Sequence, residues 1–80
     1  MSDKTVKIIG WVGVVLIVGA YILVSFSILS PKNILYPLMN LFGSIGIVIE
    51  AGSKRDLQPM VINIVWIIIA AIAIASVFFR

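Results

Sequence analysis

Apolar residues fill three long stretches of this chain, and the polar residues gather at the ends and in two short breaks. Uncharged windows cover 8–31 (24 residues), 33–49 (17 residues) and 57–79 (23 residues), together 64 of 80 residues. A hydrocarbon core takes ~20 apolar residues of helix, with ~17 near the lower limit. Each window is therefore long enough to cross. In lipid the backbone must satisfy its own hydrogen bonds, so helix is expected even for the β-branched run 67–69, which would weaken a helix in water.

The pattern predicts one all-α membrane domain over 1–80, with helices over 6–29, 31–51 and 58–79. Twenty-four uncharged residues exceed the ~7–15 of a signal-peptide core, so the first span is expected to be retained. Ser30-Pro31-Lys32-Asn33 forms the first connection. Helix 2 could open on Pro31, or at Ile34 with Asn33 as its cap. Pro37 is expected to remove a hydrogen bond and bend that end. Gly52 should close the helix in a left-handed conformation. Asp56 or Gln58 can cap helix 3, with Pro59 in its first turn.

Polar positions inside the spans are not scattered. Tyr36, Asn40, Gly43, Ile47 and Glu50 follow at spacings of four, three, four and three, which is one helix face. Leu38, Leu41, Phe42, Ile45, Val48 and Ile49 are left to face lipid. Helix 3 repeats the device with Asn63, Trp66, Ala70 and Ala73. Gly10, Gly13 and Gly19 of helix 1, with Gly43 and Gly46 of helix 2, should let backbones approach closely. At about 1.5 Å per residue, Asn40 lies ~9 Å and Asn63 ~7 Å from opposite ends of their helices. Two polar layers are expected: Asn63 walled by Gly13 and Gly46, and Asn40 with Tyr21 and Ser25. The candidate solute-binding residues are Asn63, Trp66, Asn40, Tyr21 and Ser25. The competing role is helix cross-linking, where one such hydrogen bond contributes about 0.6 kcal/mol.

Composition narrows the chemistry. The chain is 62% hydrophobic, with six basic and three acidic side chains and no His or Cys. That leaves no room for a soluble catalytic domain and none of the commonest metal ligands, so no enzyme activity, metal or cofactor is expected. The net charge of +3 flanks apolar spans, which points to the bilayer rather than nucleic acid. Lys4, Lys7, Lys54 and Arg55 share one side against Lys32 and Arg80, favouring a cytoplasmic N terminus and second loop. Glu50 precedes Lys54 by four residues, the spacing of an interfacial helical pair, with Arg55 beside it.

Three helices, Ile9-Gly10-Trp11, a Ser-Pro-Lys link and Asp56-Leu57-Gln58-Pro59 ahead of Asn63 resemble the SemiSWEET/PQ-loop triple-helix unit. The resemblance implies a dimer, helices packed in the order 1-3-2, a solute pocket between protomers and a substrate contact at Asn63. The family's Pro-Gln hinge should fall near Leu23-Val24-Ser25, and its helix-2 tryptophan near Ile47; neither is present. Leu29-Ser30-Pro31, Asn40-Leu41-Phe42-Gly43 and Asn63-Ile64-Val65-Trp66 also resemble a group of small uncharacterised bacterial membrane proteins, implying the inner membrane. Two functions are expected from this reading. One is a homo-oligomeric, most simply dimeric, carrier of a small polar solute. The other is a non-transporting accessory protein that docks a larger membrane partner.

Overall fold

The computed structural model describes residues 1–79. It contains three helices, α1 (Asp3–Ser25), α2 (Leu35–Ser53) and α3 (Leu57–Phe78). All three are long and apolar enough to cross a membrane. Their lengths of 23, 19 and 22 residues correspond to about 34, 28 and 33 Å. Arg80, which entered the charge comparison, lies outside the described residues.

Local chemistry moves both ends of α1 relative to the sequence expectation. The Ser2 hydroxyl accepts the Thr5 N–H at 3.2 Å, and Asp3 occupies the first turn, where the helix dipole favours an anion. The helix therefore starts three residues before the expected Val6. It stops at Ser25 rather than Leu29, because Ser27 turns left-handed with φ 60°. The Ile28 N–H then donates to the Leu23 carbonyl at 2.9 Å and the Ser27 N–H to the Val24 carbonyl at 3.1 Å. This paired closure is a Schellman motif with serine in the position glycine usually takes.

The same motif closes α2. Arg55 carries φ 55°, the Asp56 N–H reaches the Ala51 carbonyl at 2.8 Å, and the Arg55 N–H reaches Gly52 at 3.2 Å. Gly52 itself is not left-handed, so the expected glycine stop is replaced by an arginine three residues on. At the other end, the Asn33 side chain accepts the Leu35 N–H at 2.9 Å. Of the two expected starts, the one using Asn33 is within a residue of the observed boundary, and Pro31 lies in the preceding turn. Pro37 is the third residue of α2, where an N–H has no intrahelical acceptor. The expected loss of a hydrogen bond does not arise. Asp56 stands at the N-cap of α3 but makes no side-chain cap bond.

Packing is sequential. α2 lies against α1 and against α3, whereas no Cα of α1 comes within 8 Å of α3. The helix order is thus 1-2-3, and the 1-3-2 order implied by the SemiSWEET resemblance is not adopted. The reason is visible in the glycines. A Cβ added to Gly46 would stand 2.8 Å from the Ile9 carbonyl oxygen, and one added to Gly43 would stand 2.8 Å from that of Gly13. A Cβ on Gly10 would collide with the Glu50 carboxylate. These positions form an antiparallel seam that brings the α1 and α2 backbones together and holds α2 in the space beside α1. Gly19 is different: a Cβ there would meet only the Met39 methyl, at 3.8 Å, so it is not part of the tight seam.

Candidate functional site

With α1 and α3 apart, the space between them is a groove floored by α2. It encloses about 290 Å³. Ile17 and Tyr21 of α1 form one wall, and Ile62, Asn63 and Trp66 of α3 form the other. Tyr36, Asn40, Ser44 and Ile47 rise from α2 between them. These four are spaced by four, four and three, so a single helical face supplies the whole floor. Toward the first loop a second lobe of about 170 Å³ continues past Pro37 and Ala73, sharing Tyr36, Asn40 and Trp66.

Asn63, Trp66, Asn40 and Tyr21 all line this one groove, but Ser25 does not. It is exposed near the end of α1 and lines neither lobe. Nor are the two asparagines in separate compartments. Both line the larger lobe, because Ser44 and Trp66 extend the polar surface between the depths assigned to them. The glycine wall expected around Asn63 is likewise corrected, since Gly13 and Gly46 are committed to the α1–α2 seam. Asn40 and Asn63 make no hydrogen bond to each other.

Two polar groups deep in this groove have opposite hydrogen-bonding states. Asn63 is 8% exposed, and its amide nitrogen donates to the Pro59 carbonyl at 2.8 Å. A carbonyl can only accept, so this contact fixes which end of the amide is nitrogen and leaves the amide oxygen as a free acceptor. Pro59 fits the first turn of α3, and its carbonyl lies one turn before Asn63, within reach of that side chain. Ser44 is 1% exposed, and its hydroxyl has no hydrogen-bond partner among the described residues. The contrast with Ser76 is informative, because that hydroxyl donates to the Ala73 carbonyl of its own helix at 2.7 Å. An unmatched buried hydroxyl costs about 1–3 kcal/mol.

Sequence reasoning missed Ser44 because the stripe it followed ran through Gly43. The 36-40-44 spacing was the available signal. Tyr36 was placed on the polar face but not among the candidate binding residues, although it touches both lobes. Ile17 and Ile62 are apolar and carried no signal. No charged side chain lines either lobe. Glu50 sits outside the groove, where its carboxylate meets the Lys54 ammonium at 3.1 Å. That pair has the expected i to i+4 spacing, and Arg55 serves the helix terminus instead. Among the described residues no cluster of acids could hold a metal ion.

A family model matches residues 6–80, nearly the whole chain. The chain belongs to that family. It is an uncharacterised one, so membership fixes kinship without supplying a substrate. No curated protein and no solved structure matches the chain. Nothing in these matches supports the resemblance to the SemiSWEET unit.

Proposed function

We propose that this is an integral membrane protein of the bacterial inner membrane that binds a small, uncharged polar solute in the groove between α1 and α3. A second copy covers the open side, making the working unit a homodimer that carries the solute. The observation that supports this best is the unmatched Ser44 hydroxyl, whose residue lines the same uncharged groove as Asn63. Helix packing alone has no use for a buried hydroxyl without a partner, whereas a ligand carrying a donor or acceptor would satisfy it. An ion is disfavoured, since no side chain in either lobe offers a counter-charge to offset its desolvation. Volume also argues for a second copy. At about 290 Å³ the larger lobe is at the low end of ligand pockets, ~300–1,000 Å³, and it is open on one side.

The charge distribution supports a cytoplasmic N terminus and second loop. From the SemiSWEET resemblance the proposal keeps only the placing of solute against Asn63, not the helix order or the hinge.

The 1-2-3 order and the absent Pro-Gln pair favour one other reading, an accessory protein whose groove receives a helix of a larger membrane partner. Solute flux into proteoliposomes separates the two. A carrier loses flux with Asn63→Ala or Ser44→Ala while remaining folded and oligomeric. If no uncharged solute is transported, and crosslinking in native membranes joins the Trp66 face to a different protein, the accessory reading replaces it.

A further inference from the structure

The outward surface of α1 carries a feature that the groove does not use. A shallow recess of about 440 Å³ runs from Lys4 and Lys7 past Ile8 and Trp11 to Val15. Lys4, Lys7, Trp11 and Val15 are spaced by three, four and four, so they share one face. At 100° per residue that face points away from Gly10 and Gly13, which hold α1 against α2. It shares no residue with the groove. Trp11 is 61% exposed there, and both lysines are exposed.

The two lysines differ from Lys54, the one basic side chain that is ion-paired among the described residues. Lys54 is engaged by Glu50 at 3.1 Å, but neither Lys4 nor Lys7 has an acidic partner among the described residues. Asp3 precedes them in the first turn without pairing to either. Cβ atoms three residues apart on a helix lie about 5–6 Å from one another. Two ammonium groups on that spacing can reach a single phosphate, while their aliphatic stems lie along the apolar surface below. Trp11 stands one turn deeper, at the level where indole rings anchor helices between headgroups and acyl chains.

We propose that this recess is a binding site for one anionic phospholipid. The headgroup phosphate sits between Lys4 and Lys7, and an acyl chain lies over Ile8, Trp11 and Val15. Charge complementarity selects the occupant. Two cations without a counter-charge stand above a surface that only hydrocarbon can cover. A zwitterionic lipid brings its own cation, which cancels the attraction of its phosphate. Each lysine near an anionic lipid surface favours binding roughly five-fold.

The test uses the full chain with Trp66→Phe, which leaves Trp11 as the only tryptophan. It is reconstituted in phosphatidylcholine vesicles containing a minor fraction of either acyl-brominated phosphatidylglycerol or acyl-brominated phosphatidylcholine. Brominated phosphatidylglycerol should quench Trp11 fluorescence several-fold more effectively at equal mole fraction. Lys4→Gln with Lys7→Gln should abolish that preference, Lys4→Arg with Lys7→Arg should retain it, and Lys54→Gln with Arg55→Gln should leave it in place. Equal quenching by the two lipids overturns the proposal. So does a preference that survives the Lys4/Lys7 glutamine pair, or one that the Lys54/Arg55 pair reduces equally, because either would reflect general surface charge.

Discussion

The contact of α2 with α1 and its contact with α3 are built from different materials. On the α1 side Gly13, Gly43 and Gly46 let backbone atoms meet backbone atoms, and Gly10 makes room for the Glu50 side chain. On the α3 side the contact rests on few buried groups, with Asn63 and Ala70 the buried residues of α3. The first contact is close, and the groove of about 270 Å³ along its edge is apolar, lined by Val12, Leu16, Phe42 and Ile45. The second leaves space, and polar groups line that space. In lipid, where apolar burial no longer drives helices together, close packing is what stabilises association. The tight seam is therefore the firmer contact, and the looser junction is the one that carries the groove.

Substitutions can break this division or sharpen it. The largest effect is expected from Gly46→Val, which drives a branched side chain into the Ile9 carbonyl region. Overpacking of this kind costs about 1–3 kcal/mol, and unfolding in a denaturing-detergent titration should show it as an early loss of helix contacts. Ala70→Val, the comparable enlargement on the α3 side, should cost well under half as much, because the neighbouring lobe has room to receive it. If the two variants unfold alike, the seam is not the stronger contact. Next in size is Arg55→Gly. It relieves a left-handed arginine and should stabilise by roughly 0.5–1 kcal/mol net of the added freedom in the unfolded chain, again read by detergent titration. Smallest is Gly19→Ala, expected to change stability by less than about 0.5 kcal/mol since the added methyl meets only Met39. A large loss there would extend the seam beyond Gly13.

Much of the fold could be read in advance because it depends on chain-local physics. Uncharged length marked the three helices, and the 36-40 and 63-66 spacings placed Asn40, Asn63, Tyr36 and Trp66 on inward faces. The Glu50–Lys54 pair followed from i to i+4 geometry alone. What escaped depends on facts that spacing does not carry. Helix ends at Ser27 and Arg55 were hidden because residues that rarely turn left-handed occupy glycine's usual place. The merging of two expected layers into one groove was hidden because helix order decides which faces meet. Gly43 and Ser44 are adjacent in sequence, yet one joins the seam and the other lines the cavity. Only the sandwiching of α2 between two neighbours makes that possible.

Helix order also bears on how the molecule is made. α2 and α3 each pack against the helix synthesised just before them, and neither contact waits for a later segment. The α1–α2 hairpin carries its own glycine seam, so it can close while α3 is still leaving the ribosome. α3 then docks onto a finished surface. Low sequence separation between partners favours rapid assembly, and the docking of α3 is the step that creates the groove.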